Sequence, residues 1–219
     1  MYRRGKYPTF GGEMSEIIPW IVNIIFVGAF IPQIFLNYRV KSTRGLSDLY
    51  LLGYLNGYVI NFAYVYCLDF PMAYKFMAPM AVLCSSILIF QRFWYTRHQV
   101  FPKSIRLYGI DFAFLFFLIP FFVNYPIEAG HIAGWALLII WITYQLPQLL
   151  RIYKNRSVEG FSFLLVTMIG FGNLFELVTS IIFNLPVQTF LTAIRGIVIY
   201  AIFCFQFWYF GQKNQKSLL

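Results

Sequence analysis

The 219-residue sequence predicts an all-α integral membrane protein, with seven transmembrane helices arranged as two parallel three-helix repeats joined by a linker helix, a 3+1+3 order. Three observations lead there. The composition is 60% hydrophobic and 11% charged with a mean hydropathy of +0.67, whereas soluble domains carry about 25% charged residues. Seven apolar stretches are each long enough, at about 17–25 residues, to cross a hydrocarbon core of about 30 Å as a helix. A shift of 115 residues lays the first three stretches on the last three without a gap. These features exclude a soluble enzyme.

The stretches run over 15–37, 48–67, 72–95, 107–123, 132–150, 161–183 and 187–210. They divide the chain into an extracytoplasmic segment (1–14), a first bundle (15–100), a linker region with the fourth helix (101–131), a second bundle (132–212) and a tail (213–219). Segments after the odd-numbered stretches hold 12 of the 17 Lys and Arg residues, among them Arg39, Lys41, Arg44, Arg151, Lys154 and Arg156. Basic residues in short loops are retained in the cytoplasm, so this places the N-terminus outside and the C-terminus inside, against the opposing pull of Arg3, Arg4 and Lys6. The +9 charge thus reports orientation, and no nucleic-acid partner is expected. The basic start resembles a signal-peptide n-region, but no small-residue cleavage site follows, and the first stretch is read as retained. Asn155-Arg156-Ser157 fits a glycosylation pattern in a loop expected to be cytoplasmic and is read as a chance match. Cys67, Cys84 and Cys204 lie within apolar stretches without metal-ligand or disulfide spacing.

The repeat pairs Pro32-Gln33 with Pro147-Gln148, Lys41-Ser42 with Arg156-Ser157, Gly45 with Gly160, Ser47 with Ser162, Gly57 with Gly172 and Gln91 with Gln206. Three helices per repeat is an odd number, so the unpaired stretch at 107–123 is required to return the second repeat to the orientation of the first. The two cores, Ile31 to Ser47 and Leu146 to Ser162, each read Pro-Gln followed by Lys/Arg-Ser-x-x-Gly-x-Ser. They resemble the PQ-loop family of membrane transporters, which contains the cystinosin-like carriers and is related to the SWEET carriers. The resemblance implies a carrier of a small polar solute that alternates between the two faces of a central site.

Pro32 and Pro147 lie about five residues, or some 7 Å, from the inner ends of their helices. Each removes a backbone donor and crowds the carbonyl one turn earlier, so a kink is expected there. These prolines are read as hinges, with the Gln33 and Gln148 amides expected to serve the freed carbonyls.

An ionisable group in mid-membrane costs on the order of 3 kcal/mol unless it faces a cavity or a partner. Glu176 and Arg195 both fall roughly 10–12 Å below the outer boundary on consecutive helices, a depth at which they can pair directly. The repeat shift places Asn61 on Glu176 and Met80 on Arg195. Helical spacing puts Asn173, Glu176 and Ser180 on one face, Gln188, Thr192 and Arg195 on another, and Tyr54, Tyr58 and Asn61 on a third. Two readings stay open. In one, Arg195 holds a solute carboxylate, Glu176 holds an amino group or exchanges a proton, and Asn61, Asn173 and Tyr58 add neutral hydrogen bonds. In the other, Glu176 and Arg195 form a structural pair. Asp111 is a further candidate for proton coupling, against an ion-paired helix end. Trp20, Trp94 and Trp208 read as interface anchors, and Trp135 and Trp141, which lie deeper, as lipid-facing packing, with cavity lining as the alternative. Gly53, Gly57, Gly170 and Gly172 read as sites of close helix contact.

Cystinosin-like members carry a coupling aspartate about seven residues after the serine of the second motif. That register is Ile169 here, and Glu176 is the nearest replacement. The expected solute is a zwitterionic amino acid moved with protons; a sugar uniporter and, further off, a peptide-tail-binding membrane receptor are the alternatives. No cofactor or metal is expected, and a proton is the candidate coupling ion. Small solute and lipid are the expected partners, with homo-oligomerisation left open. A bacterial inner membrane is favoured over an endolysosomal one.

Overall fold

The computed structural model describes residues 12–96 and 101–216, and every regular element among them is an α-helix. In chain order these are α1 (Gly12–Gly28), α2 (Phe30–Val40), α3 (Asp48–Cys67), α4 (Met72–Thr96), α5 (Phe101–Asn124), α6 (Pro126–Thr143), α7 (Gln145–Asn155), α8 (Phe163–Ile182) and α9 (Val187–Lys216). They form seven segments, because α1–α2 and α6–α7 are each one membrane crossing interrupted at a single residue, Ala29 or Tyr144.

Both interruptions follow from proline chemistry. A proline offers no N–H to the carbonyl four residues back, and its ring pushes against that carbonyl. For Pro32 and Pro147 that carbonyl belongs to Gly28 and Thr143, the last residues of α1 and α6. Proline alone is not sufficient, since α1, α4 and α5 run through Pro19, Pro79 and Pro120. Where kinks are expected, the helical ladder is interrupted one turn before each proline, at Ala29 and Tyr144, which themselves keep helical dihedrals.

The 115-residue shift holds for the helix boundaries. It carries α2 onto α7 and α3 onto α8 end to end, and the start of α4 onto the start of α9. The left-handed non-glycine residues repeat as well: Lys41 (φ 52°) with Arg156 (φ 49°), and Asp69 (φ 52°) with Asn184 (φ 47°). Within each repeat the third helix lies between the other two, since α4 packs on α1 and α3, and α9 on α6 and α8. The repeats meet where α3 packs on α6 and α1 on α8. Both seams use a glycine to admit a ring: a Cβ on Gly57 would stand 2.6 Å from Trp141, and one on Gly172 2.8 Å from Phe26. Those two rings occupy equivalent positions, so each repeat inserts the same knob into the other.

Five of the seven segments have the length and hydropathy of membrane spans: Ile17–Val40, Met72–Tyr95, Pro126–Asn155, Phe163–Ile182 and Val187–Gly211. The chain is an integral membrane protein. The α3 helix is less apolar because it carries tyrosines and asparagines, and Tyr50, Tyr54 and Tyr64 among them are buried. The α5 linker packs on α6 and α3 and turns Phe116 and Phe117, 75% and 85% exposed, toward the lipid. The fourth and fifth segments are longer than the hydropathy pattern predicts. Pro126 supplies a preorganised first residue for α6, and Glu128 and His131 are tolerated at its start because a helix end lies near water.

Candidate functional site

The loops after α2 and α7 are the first part of the site. Ser42 and Ser157 each accept the N–H two residues on, at 3.2 Å, turning the chain back under the helices. Gly45 and Gly160 then cross in contact: a Cβ on Gly45 would lie 2.6 Å from the Gly160 Cα, and Gly160 holds a left-handed φ of 74°. Ser47 and Ser162 end the loops as N-caps of α3 and α8.

The two glutamines tie this crossing together, each reaching into the other repeat. Gln148 donates to the Gly45 carbonyl and accepts from the Ser47 N–H, both at 2.9 Å. Gln33 donates to the Gly160 carbonyl at 3.1 Å and accepts from the Ser162 N–H at 2.7 Å. Gln33 also donates to Asn37 at 2.8 Å. Both glutamines are buried, and each satisfies backbone groups that no helix serves. This corrects the expectation that they would serve the carbonyls freed by the neighbouring prolines. An amide can reach a loop peptide of the facing repeat in better geometry than a carbonyl on its own helix one turn away.

The second part is a central cavity of about 110 Å³ between the repeats. Asn23, Phe26, Tyr54, Tyr58, Asn61, Tyr74, Trp141, Tyr144, Gln145, Asn173, Glu176, Gln188, Thr192, Arg195 and Tyr200 are among the residues that line it. Such a space suits a solute the size of several water molecules. Four tyrosines stand between the cavity and the crossed loops. Tyr50 donates to Tyr54 at 3.2 Å, Tyr54 and Tyr200 share a hydrogen bond at 3.1 Å, and the Tyr144 ring lies 5.3 Å from Tyr50 and 4.9 Å from Tyr54. At the opposite end two further bonds cross between the repeats, Tyr64 with Thr189 at 3.1 Å and Tyr74 to Glu176 at 2.8 Å.

The candidate residues fall as follows. Tyr58, Asn61, Asn173, Glu176 and Arg195 all line this one cavity, as do Gln188 and Thr192. Ser180 is drawn to the Glu176 carbonyl at 2.7 Å. Asn173 donates to the Ile169 carbonyl at 2.7 Å and lies against the α9 backbone at Gly196. The Glu176–Arg195 pair of the structural reading does not form: among the described residues the two make no ion pair. Arg195 donates to the Trp141 carbonyl at 3.0 Å and to Gln145 Oε1 at 2.7 Å, and its Nε is buried without a partner among the described residues. The reason is spatial: Glu176 is held by Tyr74 from the first turn of α4, whereas Arg195 is held at the break between α6 and α7.

The Asp111 side chain lies outside the described residues, as does the segment 1–11. Trp135 is 47% exposed, in line with lipid-facing packing, but Trp141 is buried on the cavity wall, where Gly57 makes room for it. Sequence reasoning missed Gln145, Tyr74, Tyr144 and Tyr200. Three of them were legible in the repeat alignment, where Gln145, Tyr144 and Tyr200 stand opposite Phe30, Ala29 and Ser85.

A family model described as the PQ loop repeat matches residues 14–74 and 129–189, two units again 115 residues apart and more than half of the chain. The chain belongs to the PQ-loop repeat family. It is similar to cystinosin of Drosophila melanogaster, 25% identical over 176 residues, covering 68% of this chain and 43% of that one. It is also similar to an uncharacterized Schizosaccharomyces pombe protein, 25% identical over 181 residues, covering 78% of this chain and 63% of the other. The chain thus spans less than two thirds of the length of either relative. Among solved structures, a eukaryotic SWEET transporter superposes with a TM-score of 0.60 at 14% identity, over 88% of this chain and 99% of that one. That likeness supports the 3+1+3 fold.

Proposed function

We propose that the protein is an alternating-access carrier of a small polar solute, a zwitterionic amino acid moved with protons. The observation that carries this reading is the state of Arg195: a cation on the wall of a membrane-embedded cavity, held by two neutral acceptors and by no carboxylate among the described residues. A guanidinium so placed suits a carboxylate, to which it offers charge and a fork of donors. Glu176, at the other end of the cavity, suits an amino group or a proton. The family membership, the paired helix breaks and the SWEET-like fold support a carrier mechanism.

In this mechanism the crossed loops, the two glutamines and the tyrosine layer close one face, expected to be cytoplasmic. The Tyr64–Thr189 and Tyr74–Glu176 bonds draw the repeats together at the other. Protonating Glu176 removes the charge to which the Tyr74 hydroxyl donates, weakening the tie between α4 and α8 and favouring opening on that face. Bending at Ala29 and Tyr144 then lets the loop end part in its turn. The aromatic wall of Tyr58 and Trp141 also favours a second reading, a sugar uniporter that stacks its solute there.

Purified protein in liposomes separates these readings. Imposing an inward pH gradient is expected to drive accumulation of neutral amino acids, and Glu176→Gln is expected to abolish that accumulation while leaving amino-acid exchange without a gradient. Hexose flux indifferent to the gradient would establish the sugar reading instead, and amino-acid accumulation undiminished in Glu176→Gln would remove the proton role of this residue.

A further inference from the structure

Arg195 owes its orientation to Gln145, a residue with no counterpart in the first repeat. The Gln145 amide nitrogen donates to Tyr144 and to Tyr200, each at 2.9 Å. An amide has two N–H donors, so both are spent and the carbonyl oxygen must face the other way, toward Arg195 at 2.7 Å. Gln145 is buried, and it is the first residue of α7, directly after the break and two residues before Pro147. The same short helix carries Gln148, which holds the loop of the first repeat. The four members of this network are Arg195, Gln145, Tyr144 and Tyr200. Their equivalents under the repeat shift are Met80, Phe30, Ala29 and Ser85, so the whole set is present in one repeat and wholly replaced in the other.

We infer that Gln145 is the specificity-determining residue of the carboxylate site: it holds Arg195 through a neutral oxygen, positioning the guanidinium without cancelling its charge. A carboxylate at this position would hold the arginine as firmly and satisfy it internally, leaving a solute carboxylate to meet a neutral pair. The amide therefore separates two tasks that an acid would merge, and places both on the half-helix that moves if the break is a hinge. The reverse change is sterically neutral, because the Tyr144 and Tyr200 hydroxyls can turn to donate to an acid oxygen as readily as they accept from the amide.

This inference rests on the carboxylate site proposed above, and the test keeps the two apart. The thermal unfolding midpoint of the full chain in detergent micelles is measured with each protein-forming L-amino acid at millimolar concentration, and with the amine formed by removing the carboxylate of each. A bound solute raises the midpoint by mass action. Wild-type protein is expected to be stabilised by at least one neutral amino acid and not by the matching amine. No stabilisation, or equal stabilisation by the amine, overturns the carboxylate site and this inference with it. Given a stabilising amino acid, Gln145→Glu is expected to weaken its apparent affinity by roughly tenfold or more without lowering the ligand-free midpoint. Gln145→Met, which leaves Arg195 to the Trp141 carbonyl alone, is expected to weaken affinity by a few-fold and to lower the ligand-free midpoint. Unchanged affinity in Gln145→Glu, or in Gln145→Met should the acid variant not fold, overturns the role of Gln145 and leaves the carboxylate site standing.

Discussion

Where the first repeat joins α3 to α4 with an ion pair, the second joins α8 to α9 with two rings. Arg92 donates to Asp48 in a bidentate pair at 2.7 and 3.0 Å and to the Thr43 carbonyl at 3.1 Å. The residues 115 positions on are Phe163 and Phe207, with ring centroids 5.2 Å apart. The surroundings of Arg195 diverge in the same way: Arg195, Gln145, Tyr144 and Tyr200 line the cavity, and the residues opposite them in the first repeat are Met80, Phe30, Ala29 and Ser85. What the repeats share is of another kind. Gln33 and Gln148 bond to loop peptides, Gln91 and Gln206 to the Ile34 and Leu149 carbonyls at 3.0 and 3.1 Å, and the serines to nearby N–H groups. The glutamines and serines that satisfy the loops and the interrupted helices are retained in both repeats, because those segments follow a similar course and an orphaned peptide group is costly in either. Side chains that satisfy one another are exchanged as sets.

Giving the second repeat the residue that stands opposite Arg195 in the first has the largest effect. Arg195→Met is expected to reduce solute kcat/KM in liposomes by at least about 30-fold, the effect of removing one partner from a buried charged contact, in a protein inserted at normal levels. Uptake within a few-fold of wild type would show that the charged half of the cavity is scaffold.

Exchanging the ion pair for the rings comes next. Arg92→Phe alone leaves Asp48 and the Thr43 carbonyl without their donor and is expected to destabilise by about 2–3 kcal/mol, below the full cost for a buried pair because Asp48 is 27% exposed. The double change Asp48→Phe with Arg92→Phe is expected to recover most of that loss in a thermal double-mutant cycle. Simple additivity would mean that the two pairs are not interchangeable.

The smallest effect separates the two glutamines. Gln148→Leu removes two bonds to loop peptides, at about 1–3 kcal/mol, and Gln33→Leu is expected to cost about 1 kcal/mol more, because it also releases Asn37. Asn37 in turn donates to Gln91 Oε1 at 2.9 Å, whereas Gln206 Oε1 is buried without a partner among the described residues, since Ile152 stands where Asn37 would be. Equal losses in the two variants would show that the Asn37–Gln91 branch contributes nothing.

Much of this architecture is legible in the order of residues. Hydropathy gives the membrane segments, since lipid accepts only helices whose backbone groups are paired internally. The 115-residue shift gives the repeats and the linker between them. Helical spacing brings Tyr58, Asn61, Asn173, Glu176 and Arg195 to one chamber, because each stripe is the only polar face its helix has to turn away from lipid.

Partner choice is not local. That Gln33 bonds to Gly160 and Ser162, 127 and 129 residues away, depends on two loops crossing at a pair of glycines. That Arg195 takes Gln145 instead of Glu176 depends on where the break before Pro147 leaves an amide oxygen. Trp141 faces the cavity because Gly57 across the seam leaves room for its ring. Periodicity assigns a side chain to a face and a depth. Which acceptor it meets there is decided by how two helices that share no sequence neighbourhood pack, where a few tenths of an ångström separate a hydrogen bond from none.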